Sequence, residues 1–271
     1  MQRPGVSTSA LWIALAAGLL PVGPVAHAAE CSAPKVVVVT ATAMKYCIDP
    51  AFDGLIQDQV RKIRQDIKAQ QSAGKLIVYA STPISPRGGG YTATNLDVAA
   101  SVKAALEKEY GGRIWVLDPG RYQLLPLAGR SPGGSEYLVM WTAVLAGDDG
   151  TGQDFDMVHF TGPSNMRAFF GCGASAIVEC IDRYVTKRAA TDETFRRDVA
   201  DQPARRREFL RYYALRASSA YSPGAHDEWN TFVAINRRRP LGGQVAMYFD
   251  GRPLSPAEME TVVSPGYEFR P

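Results

Sequence analysis

A mostly parallel, three-layer α/β sheet with helices on both faces, followed by an arginine-rich helical C-terminal part, is the fold class this sequence predicts. Three observations predict it. Short β-branched and apolar runs recur along the first 160 residues. Segments of helical period separate those runs, and such alternation calls for right-handed crossovers between parallel strands. The chain has 271 residues, 46% of them hydrophobic, which is enough for one sizeable core.

Residues 35–40, KVVVVT, read as a strand buried on both faces, because the run is short, continuous and β-branched. Residues 53–71 read as an amphipathic helix. Leu55, Ile56, Val60, Ile63 and Ile67 recur at helical spacing, Arg61, Lys62, Arg64 and Lys68 face outward, and Gly74 stops it. Residues 75–80, KLIVYA, form a second buried strand. After the loop STPISPRGGGYTAT, a helix spans residues 95–110, with Asn95 as its cap and Gly111-Gly112 as its end. Residues 113–117, RIWVL, are the third strand, and Asp118-Pro119-Gly120 turns the chain. Residues 136–146 are helical, and residues 155–161, FDMVHFT, are the fourth strand. Residues 164–190, 191–217 and 227–239 read as helices, residues 244–249 as a last strand, and the proline-rich tail as irregular. This divides the chain into a flavodoxin-like α/β domain, residues 29–190, and a helical extension, residues 191–271, packed on the same domain.

The N-terminus predicts export. Arg3 precedes an apolar stretch, ALWIALAAGLL, that Pro21, Gly23 and Pro24 break, and Ala26-His27-Ala28 offers a small-x-small cleavage site before Ala29. The apolar run is about half of the ~20 residues that span a bilayer, so no stable membrane insertion is expected after cleavage. Glu30 before Cys31 does not suit a lipid-attachment box. The expected location is periplasmic or secreted. Four cysteines in an oxidising compartment suggest two disulfides, in one of three connectivities, with buried free thiols as the alternative. The near-neighbour pairing joins Cys31 to Cys47 and Cys172 to Cys180. With no C-x-x-C pair, zinc is disfavoured. A formal charge of +3 gives no reason to expect nucleic acid as a partner.

Ligands of open α/β sheets bind beyond the carboxyl ends of the strands, near a switch in strand order. That rule selects Ser81, Thr82, Asp118, His159, Thr161 and Gly162. In the loop after Ser81, Gly88, Gly89 and Gly90 let backbone N–H groups approach a ligand, and Arg87 adds a cationic fork. The loop is therefore either a cradle for an anion or for ribose hydroxyls, or a plain surface turn. Neither a P-loop nor a G-x-G-x-x-G fingerprint is present, and no cofactor is called for. Asp148, Asp149, Asp154 and Asp156 crowd one loop without EF-hand spacing, so a solvated acidic turn is favoured over calcium. Glycosidic chemistry needs two carboxylates, for which Asp118, Glu136, Asp154 and Asp156 are candidates. His159 reads as a core histidine or an acid/base group. Beyond the export segment only His159 and His226 remain, which excludes a multi-histidine metal site. Asp227 and Glu228 read as favourable charges in the first turn of a helix. The absence of G-x-S-x-G disfavours an α/β-hydrolase serine site. The clusters Arg196-Arg197, Arg205-Arg206-Arg207 and Arg237-Arg238-Arg239 are interleaved with acids and read as solvated helix faces.

Residues 75–161 resemble the nucleoside 2-deoxyribosyltransferase group and its wider TIR-like relatives. The resemblance lies in YASTPIS after a strand, LDPG after the next, and a helix bearing Trp141 ahead of DFDMVHFTGPSNM. It implies an α/β fold and cleavage of a glycosidic bond to a nucleobase. It also implies a glutamate nucleophile in a turn after the strand, where this chain has GPSNMRAFFG. The functional expectation is an exported α/β protein that hydrolyses or transfers a glycosidic bond of a nucleotide- or sugar-like molecule. Ser81, Thr82, Arg87 and the three glycines would bind, and Asp118, Asp154, Asp156 and His159 would supply acid and base. The rival expectation is a non-enzymatic protein that holds a protein or envelope partner through its arginine-rich half.

Overall fold

The computed structural model describes residues 31–270, so the export segment and its cleavage point lie outside the described residues. The first strand differs from expectation. Strand β1 (Val36–Val39) does not enter the main sheet but pairs antiparallel with β2 (Lys45–Ile48) in a separate hairpin. Val36, Val37 and Val39 are 45%, 44% and 60% exposed. Apolar continuity does not distinguish an edge strand from a central one, and here it is β2 that faces inward, through Tyr46 and Ile48. The disulfide Cys31–Cys47 ties the start of the described chain to β2.

From residue 53 onward strands and helices alternate as predicted. Helix α1 (Asp53–Ser72) buries Ile56, Val60, Ile63 and Ile67, the stripe its periodicity marks. Strand β3 (Leu76–Ser81) follows, then α2 (Thr92–Glu109), β4 (Ile114–Leu117), α3 (Gly134–Ala146) and β5 (Met157–Phe160). Asn95 does not cap α2. It lies inside the helix, buried, with its amide donating to the carbonyls of Ile84 and Ser85 and its oxygen accepting from the Tyr213 hydroxyl. It thus ties down the loop after β3.

The remainder of the chain is helical until the last strands. It runs through α4 (Pro163–Phe170), α5 (Ile177–Ala189), a short α6 (Glu193–Phe195) with a π-helical turn (Arg196–Ala200), α7 (Pro203–Leu215) and α8 (Pro223–Arg238). Strand β6 (Ala246–Phe249) then pairs parallel with β5, and a two-residue β7 (Arg252–Pro253) turns back beside it. The sheet order is β4-β3-β5-β6-β7. Residues 191–270 are therefore no appendage, since they supply a strand of the sheet and helices on both its faces.

Strand β3 feeds two cores. Ile77 and Tyr79 pack under α1, α3 and α8, with Trp141, Phe155, Phe160 and Phe232 around them. Val78 and Ala80 pack under α2, α4, α5 and α7, against Val98, Met166, Val185 and Phe209. Each fully buried large side chain contributes about 1.5–3 kcal/mol. The free edge of β4 is closed by its own helix: Lys103 Nζ donates to the Val116 carbonyl at 2.8 Å and Glu107 accepts the Val116 N–H at 3.0 Å. The second disulfide, Cys172–Cys180, closes the α4–α5 connection.

The tail is irregular beyond one short helix, as expected, but it is firmly held. After a short helix α9 (Pro256–Glu260) it becomes a strap held by the first turns of α8. Trp229 donates to the Thr261 carbonyl, and Asn230 exchanges two hydrogen bonds with Val263. The fully buried Asp227 carboxylate accepts the N–H groups of Gly266, Tyr267 and Glu268 at 2.8, 2.7 and 3.1 Å. Phe269 N–H then reaches the Lys45 carbonyl of β2. Replacing Asp227 with Ala is expected to cost about 2–3 kcal/mol in denaturant unfolding, because three strap donors lose an ionic acceptor together. Hydrogen exchange at residues 266–269 should accelerate more than elsewhere. Removing both Cys172 and Cys180 as serines is expected to cost about 2–3 kcal/mol, the chain-entropy value for so short a loop, measured by urea unfolding.

Candidate functional site

Chain order places a switch between β3 and β5: the chain steps from β3 to β4 on one side, then crosses to β5 on the other. The two strand ends meet there. Thr161 N–H donates to the Ser81 carbonyl at 3.0 Å, and the Thr82 and Thr161 hydroxyls lie 2.7 Å apart. The short turn Ser219–Tyr221 covers these strand ends. Ser219 donates through its hydroxyl to the Ser81 carbonyl at 2.8 Å and through its N–H to the Thr161 carbonyl at 2.9 Å.

On the α8 side of these strand ends sits Glu228, only 8% exposed. Its Oε1 accepts from the Tyr79 hydroxyl at 2.7 Å and its Oε2 from the Ser81 hydroxyl at 2.6 Å. Tyr79 and Ser81 are two apart on β3 and so share a face, which points both hydroxyls at one carboxyl. No cation pairs with Glu228 among the described residues. Burial pushes its carboxyl up to about 7, against the two hydroxyl donors, which favour the charged form, and with the nearby Asp227 charge adding to the rise. Burial and the Glu228 charge together hold the Tyr79 phenol well above its ordinary value, so Tyr79 stays a donor.

The other predicted residues fall in several places. Asp118 ends β4, is 4% exposed, and accepts the Gly120 N–H through Oδ1 at 2.8 Å. Burial raises its carboxyl, while Gly120 N–H, Lys103 and Arg121 oppose the rise. His159 points into the opposite core from Ser81, beside Asn165 Oδ1 at 3.2 Å, and burial lowers its ring. Asp154 and Asp156 precede β5 and so lie at the amino ends of the strands. Asp156 accepts the Ile77 N–H at 2.8 Å and Asp154 meets Gln71 at 3.3 Å. They do not join Asp118, His159 or Ser81. Glu136 caps backbone, accepting from Asp49 and Gly133 N–H groups.

The glycine loop is filled by its own chain. Gly89 has φ of 115°, and a Cβ there would stand 2.8 Å from the Glu208 carbonyl. A Cβ on Gly90 would stand 2.9 Å from the Tyr212 ring. These glycines and Gly88 therefore let α7 pack closely on the loop. Arg87 is exposed and lies over the Tyr267 ring at 5.4 Å, donating to its hydroxyl at 3.2 Å. Much of the arginine-rich half is spent internally. Arg188 pairs with Asp97 and Asp192, Arg206 with Asp182, Arg205 with Glu208, and Arg239 donates to the Thr151 carbonyl. Asp148 pairs with Arg64, and Asp149 caps Thr151. Among the described residues no cluster of histidine, cysteine and acidic side chains is arranged to hold a metal, and no helix is long and apolar enough to cross a membrane.

Sequence reasoning missed Glu228 by reading it as a helix-start charge. A signal was present, since Glu228 shares the face of Thr231, Phe232 and Ile235, all buried. No family model, curated protein or solved structure matches this chain.

Because the Glu228 carboxyl is raised in the folded state, the folded protein binds its proton over a window, from about 4.5 to about 7, in which the unfolded chain has released it. Its contribution to stability is therefore full below that window and falls as pH rises through it. Glu228→Gln should remove this dependence. The difference in unfolding free energy between variant and parent is expected to shift in the variant's favour by a few kcal/mol between pH 4.5 and pH 7.5, read by denaturant titration at each pH.

Proposed function

We propose that this chain is an exported α/β protein that acts on a nucleotide- or sugar-like small molecule by glycosidic-bond hydrolysis or transfer, with Glu228 as its acid/base group. One observation carries the reading: a buried carboxyl held by two hydroxyl donors at the strand switch point, with both protonation states accessible near neutral pH. The protonated carboxyl gives its proton to the leaving atom as the glycosidic bond breaks to an oxocarbenium ion, and the carboxylate left behind takes a proton from the water that adds to that cation, so one carboxyl serves in turn as acid and as base. Tyr79 and Ser81 position it. Displacement of the Ser219–Tyr221 turn, which two hydrogen bonds hold over the strand ends, admits the ligand. Ser81 here positions Glu228, Thr82 lies beside it at the strand ends, and Glu228 takes the acid/base place expected of Asp118, Asp154, Asp156 and His159. Export is supported by the N-terminal sequence and by the two disulfides.

The test is a panel of nucleosides and nitrophenyl glycosides assayed for release of base or nitrophenol. The parent protein is expected to turn over at least one class. Glu228→Gln should lower kcat on it by about 100-fold or more, with circular dichroism unchanged. Tyr79→Phe should shift the pH profile and leave KM nearly unaltered. A parent inert across the panel, or a Glu228→Gln variant as active as the parent, would overturn the reading.

A further inference from the structure

A concavity lies away from Glu228, at the outer edge of the sheet. It is a groove of about 400 Å³ between one face of α2 and the turn after β4. Leu96, Ala100 and Ala104, four apart on the helix, form its apolar wall, and the two alanines leave the space open. Its charged groups are Asp118, Arg121, Lys103 and Glu107. Lys103 and Glu107 are spent on each other and on the backbone of Val116. Asp118 and Arg121 are not. Asp118 satisfies Oδ1 with the Gly120 N–H, and its Oδ2 makes no hydrogen bond among the described residues and stays open to solvent in the groove. Arg121 is exposed and makes no side-chain hydrogen bond or ion pair among the described residues.

Lys103 and Arg121 already act on the Asp118 carboxyl from a distance, and its second oxygen, open to solvent in the groove, is free to accept from an incoming cation. Arg121 stands three residues away on the same groove, yet the two do not pair. A ligand that carries an ammonium and a carboxylate a few ångströms apart answers both groups at once, and the alanine-lined wall receives an apolar side chain. We infer that the groove at the β4 edge binds a free α-amino acid, with its ammonium on Asp118, its carboxylate on Arg121 and its side chain along Leu96, Ala100 and Ala104. The guanidinium fork suits a carboxylate in two-point contact. This site is independent of the chemistry at Glu228.

Nuclear magnetic resonance titration of the isotope-labelled protein with L-leucine tests it. Saturable shifts are expected at residues 96–107 and 118–122. N-acetyl-L-leucine and L-leucinamide, which each lack one charge, should bind at least about tenfold more weakly. Asp118→Asn keeps an oxygen for Gly120 N–H, and Arg121→Gln alters an exposed side chain, so both should stay folded and each should weaken L-leucine by about tenfold or more. Glu228→Gln should bind L-leucine as the parent does. Absence of saturable shifts with L-leucine and with glycine overturns the proposal. So do blocked analogues that bind as well as the free amino acid, or unchanged affinity in Asp118→Asn and Arg121→Gln.

Discussion

Strand β3 has to be covered on both faces, and the rest of the chain is arranged to meet that requirement. Its two neighbours, β4 and β5, occupy its edges, and its alternate side chains enter two separate cores. One face needs α1, α3 and α8, and the other needs α2, α4, α5 and α7. Helices far apart in sequence must therefore pack side by side, as α3 and α8 do. The aromatic side chains follow the same logic. Tyr79 stands within about 6 Å of Trp141, Phe155 and Phe232, at tilted or edge-on angles that bury large surfaces without face-to-face stacking.

Within that arrangement two adjacent carboxyl groups take different environments. Asp227 turns outward to the strap and receives three backbone N–H groups. Glu228 turns inward to the sheet and receives two hydroxyls, with no backbone donor and no cation. Burial raises both. The three amide donors oppose that rise at Asp227, whereas at Glu228 the opposition comes from two hydroxyls. One helix turn thus carries a carboxylate that holds the strap and, beside it, a carboxyl whose proton affinity burial has raised.

The sequence made most of the sheet legible. Strands β3 to β6 and their helices were readable because each apolar run is bounded by glycine, proline or a change of period. Both disulfide pairs fall within short separations, and the near-neighbour pairing was among those it allowed. The hairpin was not legible, since four consecutive valines look alike at an edge and in a core, and KYCI is too short and mixed to stand out. The site was half legible. Ser81, Thr82 and Asp118 follow strands and sit at the carboxyl ends, whereas Asp154 and Asp156 precede β5 and had to lie at the other end of a parallel sheet. Glu228 was hidden because its partners, Tyr79 and Ser81, are 149 and 147 residues distant. The glycines after β3 were ambiguous in principle, because close approach by a ligand and close approach by α7 ask the same thing of a backbone.

The strap that runs from α8 to Lys45 has a consequence for how the chain reaches this state. Phe269 closes on β2, the hairpin at the opposite end of the described chain, and α8 closes on β3. The first of these spans most of the chain and the second closes a loop of 149 residues, and both carry the closure entropy of long loops. Topology of that kind slows folding. The Glu228 network, the last parallel strand and the strap therefore complete a fold whose other strands and helices precede them in the chain.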